Sequence, residues 1–195
     1  MAVRASKPAE TTTAQLGREV LHLAAQHGFF PAAHDDFDVV HEMASRLMAH
    51  KVTSIATFRA VQDVQPWASC CYREDGVVTG LMGLLLLREK AVAQMLDGSF
   101  DGMEVDTDLL SRGREPTAMG YGWGMAATTP ASSAALRACV WQVRSVALGH
   151  LSFTATAVTP AGRHVCITRL GYRPMRHPDD SLLISDPIVA RRVAA

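Results

Sequence analysis

The chain has 195 residues, 48% hydrophobic and 19% charged, and its 19 basic residues balance its 19 acidic ones. It is too apolar for a disordered protein and long enough to bury a sizeable core, so a single domain over residues 14–195 behind a flexible arm at residues 1–13 is expected. Charge neutrality removes any global field that would drive it onto nucleic acid or an anionic membrane.

After the polar arm, Leu16, Val20, Leu21, Leu23 and Ala24 recur at helical spacing and predict a helix from Ala14 to His27. A break at Gly28 to Ala33 precedes a second helix, Phe37 to Ala49, with Asp35 and Asp36 as its N-cap. Three segments rich in β-branched, aromatic and aliphatic residues then predict strands: Thr53 to Val61, Trp67 to Arg73 and Val77 to Leu87. Glu74-Asp75-Gly76 joins the last two as an antiparallel hairpin. A helix from Arg88 to Leu96 and an irregular acidic stretch to Asp108 follow, then a turn at Ser111 to Pro116.

The strand Thr117 to Thr128 places Gly120, Gly122 and Gly124 between Met119, Tyr121, Trp123 and Met125, so one of its faces is bare backbone open to another chain or a ligand. Pro130 opens a helix, Ala131 to Leu148, and Gly149 ends it. Leu151 to Val158 alternates as a strand, Pro160 opens a last helix to Leu170 closed by Gly171, and a polar hairpin leads to the strand Ser181 to Ser185. Strands separated by helices in this half predict parallel pairing, hence a mixed sheet.

Cys70, Cys71, Cys139 and Cys166 have neither the number nor the spacing of a disulfide framework or a zinc site, which fits a reducing cytoplasm. Cys70 and Cys71, adjacent on a strand, face opposite ways. The first fifteen residues lack the apolar core of a signal peptide, and Thr79, Gly80 and Gly83 interrupt the longest apolar run, so no membrane segment is expected. His34, Asp35, Asp36, Asp38 and His41 include metal-ligand types, but a capped helix with solvated charges accounts for them, and no metal is expected.

The neutral total hides an asymmetry. Residues 112–176 carry eight arginines against one acid, Glu115, whereas residues 97–108 hold Asp97, Asp101, Glu104, Asp106 and Asp108 and no base. A polyanionic cofactor on one half and an amine near the other would suit that pattern, as would two solvated faces. The turn from Tyr121 into the helix headed by Pro130, Ser132 and Ser133 offers free amides and a positive helix end to an anion.

The order of elements and the phrases MGYGWGMAAT, PASSAALRACVWQVRSVAL, LSFTATAV and TPAGRHVCITRLGYRPM resemble the GNAT superfamily of acyl-CoA-dependent N-acyltransferases. Leu170-Gly171-Tyr172 matches the end of that family's closing helix, and CCYREDGVVTGLMGLLLL its second and third strands. The resemblance covers residues 53–186. It implies an α+β fold with a mixed, mainly antiparallel central sheet flanked by helices, the two N-terminal helices included. It also implies a slot for acetyl-CoA or another acyl-CoA between strands that splay near Ala127 and Leu151.

The resemblance implies that in that slot the pantetheine arm would pair with the backbone of Met125, Ala126 and Ala127, and that the pyrophosphate would rest on amides from Ala131 through Ser132 and Ser133 to Ala134. The family's phosphate loop has spaced glycines after a Gln or Arg; Thr129 to Leu136 has neither. Its Asn and Tyr of the closing helix are Pro160 and Ile167 here, and His164, on the same helix face, is the candidate acid or base. Glu104 and Asp106, with Asp108 and Glu115 behind them, are candidate bases for the amine, and Tyr121 and Trp123 candidate walls of the acceptor pocket.

Two functions follow. One is transfer of an acyl group from CoA to a small-molecule amine, without metal, driven by alignment of the substrates and by backbone amides at the thioester carbonyl. The other is a module that keeps the fold without the chemistry and senses acyl-CoA or a protein partner. A third relation, an acyltransferase drawing on an acyl carrier protein, has no motif in its favour, and homodimerisation is compatible with the fold.

Overall fold

Thr12 starts the first helix, α1 (Thr13–Gln26): its hydroxyl accepts the Gln15 amide while the Gln15 side chain accepts the Thr12 amide. The computed structural model describes residues 11–48, 52–175 and 182–188, so the arm at residues 1–10 lies outside it, and residues 12 and 13 belong to the helix and its cap. The Thr13 hydroxyl ties this end down by donating to the Glu115 carbonyl at 2.8 Å.

Phe29–Pro31 is an edge strand, β1, where the sequence reading had only a break. It is short and contains Pro31, which an edge tolerates because one side of its backbone makes no ladder bonds. Helix α2 (Phe37–Leu47) buries Phe37, Val40, Met43 and Ala44; Ala49, its expected end, lies outside the described residues. The expected cap is corrected: Asp36 is helical and does not cap α2. Its carboxylate turns back, accepting the Ala33 amide at 2.7 Å and pairing with Arg73 at 2.6 Å.

The expected strand Thr53 to Val61 is a helix, α3 (Ile55–Val64). Ser54 caps it by accepting the Thr57 amide, and Phe58, Val61 and Gln62 fall on one buried face. β-Branched content suggested a strand, but the cap and the 3-to-4-residue apolar spacing govern. Strands β2 (Ser69–Glu74) and β3 (Val77–Leu87) form the expected antiparallel hairpin, and Asp75 and Gly76 both have positive φ, 50° and 81°, as a two-residue hairpin turn requires. Helix α4 (Glu89–Asp97) ends at Gly98, which takes the left-handed conformation.

Strand β4 (Met119–Ala127) is followed by α5 (Pro130–Gln142), which widens into a π-type turn over Val143–Ala147, and then by β5 (Phe153–Thr156) and α6 (Pro160–Thr168). Thr129 and Thr159 cap the two helices identically, each accepting the amide three residues on. The chain then adds β6 (Arg173–Pro174) and β7 (Leu182–Ser185). Most of the expected polar hairpin and its Ser181 lie outside the described residues.

The sheet runs β1-β2-β3-β4-β5-β7-β6, and β4–β5 is its one parallel pair among the described residues. The architecture is α+β with a mixed, mostly antiparallel sheet. Parallel pairing in the second half holds for β4–β5 but not for β5–β7, which is antiparallel. The short β6–β7 hairpin reverses the chain and inserts β7 between β5 and β6.

Strand β3 is apolar on both faces because both are covered. Met82, Leu84 and Leu86 pack with α1 and α5 residues such as Leu16, Val20 and Leu136, whereas Leu81, Leu85 and Leu87 meet the side of α2, α3 and α4. Cys70 and Cys71 divide likewise between the two layers.

Candidate functional site

Strand β4 stays paired with β3 along its whole length, to Ala127 opposite Gly80, but meets β5 only over Gly120, Tyr121 and Gly122. A bulge sits where the two part, since Leu84 faces Gly122 and Gly83 faces Gly124, leaving Trp123 as the extra residue. An extra residue bends and twists its strand, which turns β4 away from β5. The outer edge of β4 from Trp123 to Ala127 therefore faces no strand. It borders a cleft of about 1040 Å³, walled by residues 122–127, residues 155–159, one side of α5, one side of α6 and the loop at residues 100–103.

The three glycines of β4 divide their labour. The backbone of Gly120 is covered by the Phe153 ring and that of Gly122 by the Ala155 methyl, while beside Gly124 only Leu81 and Met48 approach, at 3.8 and 3.9 Å from an added Cβ. The bare face expected from the sequence is closed at Gly120, whereas Gly122 and Gly124 both border the cleft.

Met125, Ala126 and Ala127 all line the cleft, as does Ser133 on the first turn of α5. Ala131, Ser132 and Ala134 do not. Ser132 is buried within the cap: its amide donates to Thr129 Oγ1 at 3.0 Å, and the Ser133 amide donates to the Thr129 carbonyl. The Ser132 and Ser133 amides, expected to meet an anion, are thus engaged. The Thr129 hydroxyl donates to Glu74 Oε1 at 2.5 Å, and Thr79 donates to the same oxygen at 3.2 Å. A carboxylate from β2 already sits at the positive end of α5.

Cations in the cleft come from the helices. Arg137 of α5 and Arg169, which caps α6, both line it; Arg137 donates to Ser133 Oγ at 2.7 Å, and neither arginine has a carboxylate partner among the described residues. Other arginines of the basic half are engaged elsewhere, Arg112 with Asp108 at 3.7 Å and Arg173 with Asp186 at 3.2 Å. Arg144 is buried beneath the π-type turn, donating to the Leu148 carbonyl at 2.8 Å and to Ser185 Oγ at 3.0 Å, with its guanidinium 4.9 Å from the Phe153 ring centre.

The closing helix presents Ala161, Gly162, Val165, Cys166 and Arg169 to the cleft. Pro160, His164 and Ile167 do share a face, but it is the outer one: all three are exposed and none lines the cleft. Glu104 and Asp106 also stand outside it. Glu104 accepts the Thr57 hydroxyl at 2.6 Å, and Asp106 caps a short turn by accepting the Asp108 amide at 2.8 Å. Asp108 faces Arg112 at 3.7 Å, and Glu115 is gripped by Arg88 through two contacts of 2.9 and 2.8 Å. The Arg88 guanidinium, with the Arg112 amide, holds the Glu115 carboxyl below the usual carboxylate range.

Beside Arg137, Arg169, Cys166 and Tyr172, the titratable groups that line the cleft are Asp101 and Tyr121. Asp101 Oδ1 accepts the Met103 amide at 2.7 Å, which shapes the loop. Tyr121 is buried at the point where β4 and β5 part; its hydroxyl lies 3.0 Å from Thr156 Oγ1, and Phe100 meets its ring edge-on at 5.2 Å. Burial first, and the Asp101 charge after it, push the Tyr121 hydroxyl above its ordinary value against the opposing bond from Thr156, so it remains a proton donor at neutral pH. Trp123 lines the same wall, its indole N–H donating to the Gly102 carbonyl at 2.9 Å. Sequence reasoning placed Tyr121 and Trp123 but passed over Asp101, although the Phe100-Asp101-Gly102 turn marked a carboxylate next to an aromatic. The His34 group also disperses: His34 pairs with Asp63 at 2.9 Å and Asp38 with Arg59 at 3.7 Å.

No protein-family model matches this chain, and no curated protein and no solved structure matches it. Among the described residues no helix is long and apolar enough to cross a membrane.

Proposed function

We propose that this protein is an acyltransferase of the GNAT type that passes an acyl group from a CoA thioester to an amine. The observation that carries the reading is the unpaired edge of β4 at Trp123–Ala127 beside the cleft. An extended pantetheine arm fits that edge as an added strand, its amides bonding to free backbone groups. Arg137 and Arg169 supply positive charge for the donor's phosphates, and Asp101 is the carboxylate that lines the cleft for the amine.

In the reaction the lone pair of the neutral amine attacks the thioester carbonyl carbon and forms the C–N bond. A β4 amide steadies the oxyanion, collapse of the tetrahedral species breaks the C–S bond, and the nitrogen loses its extra proton. Asp101 is the carboxylate available to that proton, and the Tyr121 hydroxyl is the donor available to the departing thiolate. A proton-transfer group of this kind contributes about 10²- to 10⁴-fold. A cytoplasmic setting suits both the donor and the four free cysteines.

Glu74 favours a second reading. Its carboxylate at the head of α5 repels a pyrophosphate there, as expected of a module that keeps the fold but has given up tight CoA binding. Calorimetric titration with acetyl-CoA and longer acyl-CoAs separates the outcomes. Micromolar binding that Ala127→Trp abolishes supports the slot and leads to an amine screen with Tyr121→Phe as control. Binding without turnover on any amine supports a module that senses acyl-CoA, and failure of every CoA species to bind refutes both the enzyme and that sensor and leaves the module that serves a protein partner.

A further inference from the structure

At about 1040 Å³ the cleft lies at the top of the usual span of pockets for drug-sized ligands, about 300–1,000 Å³, and its lining is mostly apolar. Ten large hydrophobic side chains are exposed among the described residues, and four of them, Leu47, Met125, Trp141 and Val165, line this one cleft. Scattered apolar residues on a surface need no explanation; a cluster around one cavity marks a site that is covered in use.

The lining is polarised. The arginines, Arg137 and Arg169, stand on the α5 and α6 side. Across the free edge of β4 the wall becomes Met48, Phe100, Met103 and Trp123, with no base among them and Asp101 as its one charged group. Methionine side chains adapt to flexible apolar chains, and the Met48 methyl lies over the open backbone of Gly124. Such a cavity, cationic at one end and apolar at the other, complements an amphiphile with an anionic head and a hydrocarbon tail.

We infer that the acyl group carried by the donor is a medium- to long-chain fatty acyl chain, with its tail in the channel between Gly124, Met48, Phe100 and Met103. This rests on the acyl-transfer reading and names its donor. The thioester at the β4 edge places the phosphates toward the arginines, so the tail runs to the opposite side, along Met48, Phe100, Met103 and Trp123.

Acetyl-, butanoyl-, hexanoyl-, octanoyl- and decanoyl-CoA titrated calorimetrically into the intact protein test it. The dissociation constant is expected to fall about two- to fourfold per added methylene, the upper figure being that of full burial. Gly124→Val narrows the channel: its Cβ meets neighbours at ordinary contact distances of 3.8 and 3.9 Å, and decanoyl-CoA is expected to lose far more affinity than acetyl-CoA. Should Gly124→Val fail to fold, Met48→Trp closes the same space from α2 and is expected to give the same selective loss. Equal affinity for all chain lengths, or an equal loss for acetyl and decanoyl in a folded variant, overturns the inference and leaves acyl transfer standing. Failure of every chain length to bind overturns both.

Discussion

Replacing Gly120 by alanine tests the junction from which the cleft opens. A Cβ on Gly120 would lie 2.1, 2.3 and 3.0 Å from three atoms of the Phe153 ring, whereas carbon atoms settle about 3.5–4.0 Å apart, so the ring must retreat by more than about 1 Å. It has little room to do so, being 4% exposed with the Arg144 guanidinium over it. Overpacking of this kind costs about 1–3 kcal/mol, and the upper end is expected here because β5 is held to β4 over only three residue pairs. Urea denaturation should show a lower midpoint at unchanged slope, and each kcal/mol should lower the melting temperature by about 2–4 °C in a chain of this size. Phe153→Leu should relieve much of the clash, giving a favourable coupling of about 1–2 kcal/mol in the double-mutant cycle. A loss under about 0.5 kcal/mol, or strict additivity with Phe153→Leu, would refute the claim that bare backbone at Gly120 seats β5.

Further predictions concern the cleft and its supports. Glu74→Gln keeps an acceptor for Thr129 but removes the charge at the head of α5, so it should cost about 0.3–1 kcal/mol of stability while tightening the binding of a polyanionic donor; unchanged or weaker CoA binding on calorimetry would remove Glu74 as the obstacle. Because the Glu115 carboxyl is depressed in the folded state by Arg88, its contribution is present above the unfolded value of about 4.3 and lost as pH falls through the lower folded value. Glu115→Gln should therefore be less stable than wild type at neutral pH and converge with it in acid, whereas a constant gap across the range would contradict that linkage. Burial pushes the Cys71 and Cys139 thiols up to about 12, and Cys166 is the half-buried one on the cleft wall. Mass spectrometry after slow alkylation should find Cys166 modified first and protected by a bound acyl-CoA; equal labelling with and without ligand would separate the ligand from this cleft. His164→Ala should leave turnover at the wild-type level while Tyr121→Phe lowers it about 10²-fold or more, and the reverse ranking in steady-state assays would restore the outer face of α6 to the mechanism.

Much of the fold was legible because local chemistry decided it. Asp75-Gly76 determined the β2–β3 turn, the Thr-Pro pairs at 129–130 and 159–160 the starts of α5 and α6, and the apolar run of β3 its burial on both faces. A splaying of strands near Ala127 was expected only as an implication of the family resemblance, and β4 and β5 part earlier, at Trp123. Where the sequence misled, two local signals competed: Thr53 to Val61 is β-branched enough for a strand, yet Ser54 caps a helix whose buried face carries Phe58 and Val61.

Only the tertiary structure decided which groups meet. Helical phase puts Cys166 and Arg169 on the cleft and turns His164 away, a matter of about 100° per residue that depends on how α6 is laid against the sheet. Asp101 reaches the cleft and Glu104 does not, because the loop is folded by the Asp101 carboxylate's own bond to the Met103 amide. Glu74, fifty-five residues before Thr129 in the chain, reaches the head of α5 through the β2–β3 hairpin. Periodicity and caps are properties of neighbouring residues and are written in the sequence, whereas a site is a meeting of distant ones and exists once packing has settled their register.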